Sequence, residues 1–246
     1  MFPYKPNVSS DQLIPFDDVH ASTLVQEFHT LIDRDDVYSI MNIGTVSFVD
    51  EPTTSNFQKY TLTKCIKNAH DKGKKHIVIL NGANDSNGSE GTTFTSSNWV
   101  EDCANNYSEH PLYSDITFHC FGLSPHSTAD MKAVWMEEKG NQHTKTYIVA
   151  LSALERQKII SILGSKCDKV ILNEGAGGSL NEVYHLYLEN NRMFTDNNHK
   201  IVVNNSSYLL NNVIPSKLNT NTSTFSRNVL MEMTKHLQSI YLNHRK

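Results

Sequence analysis

Apolar positions along this chain switch repeatedly between a helical and a strand-like period. After a polar, proline-bearing stretch over residues 1–17, Leu24, Val25, Phe28, Leu31 and Ile32 recur at i, i+1, i+4, i+7 and i+8. That spacing predicts an amphipathic helix. Val37–Val49 alternates or runs apolar and predicts a strand with a break near 42–44. Leu62, Cys65, Ile66 and Ala69 share one face of a helix over about 55–72, and Gly73 stands just past its end, where a left-handed cap belongs. Strands follow at His76–Leu80, Asp115–Phe121, Thr146–Leu151, Val170–Leu172 and Lys200–Asn204. Helices are expected near 96–107, 128–138, over Ala153–Leu163, from Ser179 onward and over about 223–242. The Asn/Ser/Thr-rich stretch Asn204–Ser226 reads as a mobile loop.

Such alternation is the pattern of an α/β protein, a doubly wound parallel sheet with helices on both faces. Residues 18–246 are expected to form a single domain behind an extended arm at 1–17. Ligands of such sheets bind beyond the carboxyl ends of the strands, so the stretches 81–93, 122–127, 151–153 and 173–178 are the ones to search.

The last of these carries the strongest signal. Val170, Ile171 and Leu172 form a short apolar run, as expected of a strand covered on both faces. Gly175, Gly177 and Gly178 then permit a sharp turn and close approach by a ligand. Ser179 stands where a helix N-cap belongs, and Val183, Tyr184 and Tyr187 begin the helical stripe. A helix N-terminus presents unpaired N–H groups and partial positive charge, a natural seat for a phosphate. Two familiar nucleotide motifs are absent. Leu180 occupies the third glycine position of GxGxxG, the next strand ends in Asn204-Asn205 rather than an acid, and no GxxxxGK[ST] occurs.

Composition narrows the classes. With 38% hydrophobic and 20% charged residues the chain is ordinary for a globular protein, and a net charge of −4 argues against nucleic acid as a partner. No apolar run approaches the ~20 residues needed to span a bilayer, so no membrane partner is expected. The N-terminus lacks the apolar core of a signal peptide, and the four cysteines (Cys65, Cys103, Cys120, Cys167) show no metal-ligand spacing. They read as buried thiols in a reducing, cytoplasmic setting, with neither metal nor cofactor implied.

Two charged residues stand out. Ser179 and Glu182 have the spacing of a capping box, in which the carboxylate reaches back to the cap N–H. The competing reading puts that carboxylate at the mouth of the glycine turn, against a ligand. Ser152 and Glu155 repeat the spacing one helix earlier. Arg156 shares the apolar stripe of Ile159, Ile160 and Leu163, so its charge must be paired, either in a structural ion pair or with a carboxylate or phosphate in the strand-end cleft.

Glu155-Arg156-Gln157-Lys158, a helix, a strand and then Glu174-Gly-Ala-Gly-Gly-Ser-Leu-Asn-Glu182 resemble the paired signature of the Lonely Guy family, E-R-K followed by P-G-G-x-G-T-x-x-E. Those proteins, also called lysine decarboxylase-like, are cytokinin riboside 5′-monophosphate phosphoribohydrolases. Glu174, Ala176, Ser179 and Gln157 stand where the family has proline, glycine, threonine and lysine. The resemblance implies a Rossmann-like fold, a homodimer, and hydrolysis of the N-glycosidic bond of a nucleoside 5′-monophosphate to free base and ribose 5-phosphate. Glu182 and Arg156 match the family's catalytic pair. The phosphate would sit at Gly175, Gly177, Gly178 and Ser179. The loop equivalent to the family's earlier glycine-rich loop would be 82–91, making Gly82, Asn84, Asp85 and Ser86 candidates to contact base or sugar. The alternatives are a Rossmann-like sensor that binds a nucleotide or NAD-derived signal without cleaving it, and a related sugar-transferring or NAD-cleaving enzyme.

Overall fold

The structure, a computed structural model, describes residues 13–14, 18–44, 52–82, 114–125, 144–150, 153–195, 200–204, 208–220 and 225–243. Within these, the chain runs β1 (Leu13–Ile14), α1 (Asp18–Ile32), β2 (Val37–Ile43), α2 (Pro52–Asp71), β3 (His76–Gly82), β4 (Thr117–Pro125) and β5 (Thr144–Ala150). It continues with α3 (Ala153–Gly164), β6 (Lys169–Leu172), α4 (Gly177–Glu189), β7 (Ile201–Val203), α5 (Ile214–Asn219) and α6 (Arg227–Asn243). The expected helices near 96–107 and 128–138 lie outside the described residues.

All described strand pairings are parallel, in the order β1-β5-β4-β3-β2-β6-β7. The two-residue β1 adds an edge that periodicity had not revealed: Leu13 and Ile14 of the expected arm pair with Thr146 and Tyr147. Strands β2 to β5 extend one way from β2, whereas β6 and β7 extend the other. The winding therefore reverses between β2 and β6, and at such a switch point the flanking connections leave on opposite faces and open a crevice at the carboxyl edge.

Alternation along the strands sorts the core into two layers. Val37, Met41 and Ile43 of β2, Val78 and Leu80 of β3, and Val170 and Leu172 of β6 pack with Phe28 of α1, Ile160 and Leu163 of α3, and the buried stripes of α4 and α6. Tyr38, Ile40, Ile77, Ile79 and Ile171 face the other way, against Leu62, Cys65, Ile66 and Ala69 of α2. The sheet is thus covered on both faces, as the apolar runs predict. Helix α2 opens with Pro52 at its first position, where the missing N–H costs nothing. It closes on Gly73, whose φ of +73° places it in the left-handed region that glycine tolerates best.

Within the stretch Asn204–Ser226, expected to be a loop, the described residues 208–220 depart from that reading. Residues Leu209–Val213 form a π-helical turn that runs straight into α5. Leu209, Leu210 and Ile214 are buried in the first core layer, which outweighs the local Asn/Ser/Thr bias. Strand β4 also runs through Pro125, so residues 122–125 belong to the sheet rather than to a strand-end loop.

Two measurements test this packing. A Cβ added at Gly164, the last residue of α3, would meet the Sδ of buried Met41 at 2.0 Å. Gly164→Ala is expected to lower unfolding stability by about 1–3 kcal/mol in denaturant titration, and an unchanged midpoint would contradict the close seating of α3 on β2. Burial also pushes the Cys65 thiol up to about 11 and the Cys167 thiol to about 12. Both should resist alkylation at pH 8 in the native protein and react after denaturation, as read by peptide mass spectrometry.

Candidate functional site

Strand β6 ends at Leu172 beside the switch point, and the chain then turns through Asn173–Ala176 into α4. The turn is folded back on itself. A Cβ on Gly175 would lie 2.2 Å from the Ser179 Oγ, so only glycine permits this approach. The Ser179 hydroxyl donates to the carbonyl of Gly44, just past β2, at 3.0 Å. That bond stitches the turn to the strand on the other side of the reversal.

Ser179 is therefore not the N-cap. Helix α4 begins at Gly177, Ala176 holds the cap position in extended conformation, and no side chain caps the helix. The first intrahelical bond runs from Leu180 N–H to Ala176 O at 3.0 Å. The N–H groups of Gly177, Gly178 and Ser179 precede it and have no intrahelical acceptor. Gly177 and Gly178 are exposed, and a Cβ at Gly177 would meet nothing within 4 Å. Among the described residues, the arrangement keeps what an anion site at a helix N-terminus needs: N–H groups without an intrahelical acceptor, aligned peptide dipoles and open space.

The capping-box reading of Glu182 falls with it. Glu182 stands one turn into α4 and faces α3, where Arg156 Nη1 donates to its Oε1 at 2.5 Å. Arg156 and Glu182 are each 4% exposed, so both charges are withdrawn from water. Burial pushes the Glu182 carboxyl above the usual carboxylate range, and the Arg156 guanidinium pulls against that shift. Glu182 Oε2 makes no hydrogen bond among the described residues, and Arg156 Nε is buried without an acceptor. The Ser161 hydroxyl, 2.7 Å from the carbonyl of Gln157 and 2.9 Å from that of Glu182, ties the two helices beneath the pair. The acidic partner demanded by a buried arginine is thus the Glu182 carboxylate.

Several functional-looking groups escaped the sequence reading. The next residue of α3, Gln157, is buried, accepts from Asn181 Nδ2 through its Oε1 at 3.0 Å, and brings its Nε2 against Gly178. Glu174 receives the backbone N–H groups of Tyr208 and Leu209 on its two carboxylate oxygens, at 3.1 and 3.0 Å. It thereby anchors the start of the π-helical turn to the glycine turn. On the α2 side of the sheet, Asn173 Nδ2 donates to Asn42 Oδ1 at 2.7 Å, Asn204 Nδ2 donates to Asn173 Oδ1 at 2.8 Å, and Thr61 Oγ1 donates to Asn204 Oδ1 at 2.8 Å. This row of amides runs along the carboxyl edge of β2, β6 and β7. Its sequence signal is an apolar run closed by asparagine, as in Val170-Ile-Leu-Asn173 and Ile201-Val-Val-Asn204.

Of the other candidates, Gly82 is the last residue of β3, whereas Asn84, Asp85 and Ser86 lie outside the described residues, as does Ser152. Among the described residues, no group of three or more His, Cys, Asp or Glu is placed to hold a metal ion, and no helix is long and apolar enough to cross a membrane. Comparison of the chain with protein-family models, curated proteins and solved structures gives no match.

The pair makes a sharp stability test. Arg156→Ala leaves a buried, unpaired carboxylate and is expected to cost about 3–5 kcal/mol, while the joint replacement Arg156→Met with Glu182→Leu should recover most of that loss. Equal stability of the single variant and the parent would show that the two charges are not held in a dry contact.

Proposed function

We propose that this protein is a hydrolase that cleaves the N-glycosidic bond of a nucleoside 5′-monophosphate, releasing free base and ribose 5-phosphate, in the manner of the Lonely Guy family it resembles. The observation that carries the reading is the placement of the Arg156–Glu182 pair one helical turn from the open N-terminus of α4, at the switch point of a parallel sheet. A phosphate on the Gly177, Gly178 and Ser179 N–H groups would hold the attached sugar within reach of that carboxylate.

The chemistry follows from charge. Breaking the glycosidic bond leaves positive charge on the sugar, in an oxocarbenium-like transition state. Glu182 Oε2, unbonded by the described protein groups, is the oxygen available to stabilise that charge or orient the attacking water. Arg156 holds Oε1, fixes the rotamer and favours the ionised form. A homodimer remains part of the same proposal.

A second reading, a sensor that binds the nucleotide without cleaving it, draws support from the depth of Glu182, whose carboxylate is engaged by Arg156 and almost withdrawn from solvent. The two readings separate by product analysis. Incubation with a panel of nucleoside monophosphates, N6-substituted AMPs and NAD, followed by chromatography, is expected to yield free base. Glu182→Gln, verified as folded by circular dichroism, should lose about 10²–10⁴-fold of that rate. Because the carboxylate is the working form and burial keeps it protonated to higher pH, activity should climb with pH through a step above the ordinary carboxylate range. Retained turnover in Glu182→Gln would refute the mechanism. Binding without product from any compound would favour the sensor.

A further inference from the structure

We infer that Gln157 is a ligand-binding residue, donating from its Nε2 to an oxygen of the phosphate seated on the N-terminus of α4; the inference rests on the phosphate seat proposed above. Three observations carry it. Gln157 is 6% exposed, so its side chain is held in place by its neighbours. Its Oε1 is already occupied by Asn181 Nδ2, which fixes the amide so that the nitrogen is the end left over. That Nε2 has no acceptor among the described residues and lies 3.1 Å from where a Cβ of Gly178 would stand, beside the first turn of the helix. Glycine at 178 is what allows the amide so close. An acceptor carried by a ligand at the helix N-terminus would satisfy both the Gln157 donor and the first-turn N–H groups. Asn181 is then a positioning residue that acts through Gln157.

The electrostatics give the seat a particular character. Arg156 is committed to Glu182, and Gln157 is neutral. The sequence stretches that follow β2 (45–51), β3 (83–113), β5 (151–152), β6 (173–176) and β7 (204–207) contain no lysine or arginine, whereas the stretch after β4 (126–143) carries Lys132 and Lys139. At the N-terminus of α4 itself, phosphate would meet neutral N–H donors and the helix dipole. A fixed negative charge placed at Gln157 would repel the phosphate directly, so the substitution Gln157→Glu should be far more damaging than its size suggests.

The test is calorimetric titration of AMP, and separately adenosine, into the wild type, Gln157→Glu and Gln157→Lys. Binding is read directly, so the result does not depend on turnover. Glutamate at this position keeps the shape and can still accept from Asn181, which guards against misfolding. The expected result is that Gln157→Glu weakens AMP binding by about tenfold or more, as befits loss of a hydrogen bond plus repulsion, that Gln157→Lys binds AMP at least as tightly as the wild type, and that adenosine is affected by neither. AMP affinity unchanged in Gln157→Glu, an equal loss for adenosine, or no AMP binding by the wild type would each overturn the inference. AMP binding that Gln157→Glu weakens, in a protein that releases no base, would sustain it while refuting the hydrolase reading.

Discussion

The contact on which this site depends is the buried ion pair between α3 and α4. A guanidinium with 4% exposure forfeits most of its hydration, and only a close carboxylate repays that cost. The requirement reaches beyond the two side chains. It sets the rotation of α4 about its axis, because Glu182 must face Arg156. That rotation in turn turns Gly178, one turn earlier on the same face, toward Gln157. The Ser161 hydroxyl beneath the pair locks the same alignment through backbone carbonyls of both helices. One electrostatic constraint thus orients both the charged residues and the uncharged rim of the helix N-terminus.

Topology decides where that constraint is useful. The reversal between β2 and β6 would leave the strand ends free to part at the carboxyl edge, yet the Ser179–Gly44 bond and the folded glycine turn hold them together there. Glu174 extends the same local order to the segment beginning at Tyr208. The turn is accordingly supported on three sides: by β2, by α3 and by the π-helical turn.

Much of the fold was legible because burial writes itself into periodicity. The strands at His76 and Val170 and the helices over Ala153–Leu163 and about 223–242 fell close to their observed ranges, and Gly73 marked a real left-handed cap. The misses share a cause: each was decided by a partner distant in sequence. Ser179 looked like a cap from local spacing, but the carbonyl of Gly44 claims its hydroxyl. Polar composition suggested a loop after Asn204, but apolar Leu209, Leu210 and Ile214 found the core, and Glu174 supplied the helix-start acceptor. Leu13 and Ile14 gained strand character only by pairing with β5. At the site, the need to pair Arg156 was visible from its stripe, and the identity of the partner was not. Gln157 stood out only as a departure from the family's lysine, because a neutral amide carries no periodic or charge signal; its place at the site emerges only from what surrounds it.

The amide row at the carboxyl edge has a mechanical meaning. Parallel strands at a switch point are joined by main-chain bonds alone, and those fade where the strands end. Here Thr61, Asn204, Asn173 and Asn42 carry side-chain bonding across β7, β6 and β2 at the level where the ladder runs out. With α2 clipped to the same row through Thr61, that end of the sheet behaves as a stiff plate rather than a hinge. Recognition at such an edge cannot come from the two halves opening around a guest. It must be cut by whatever projects above the plate, so exchanging the loops would exchange the guest while leaving the foundation undisturbed.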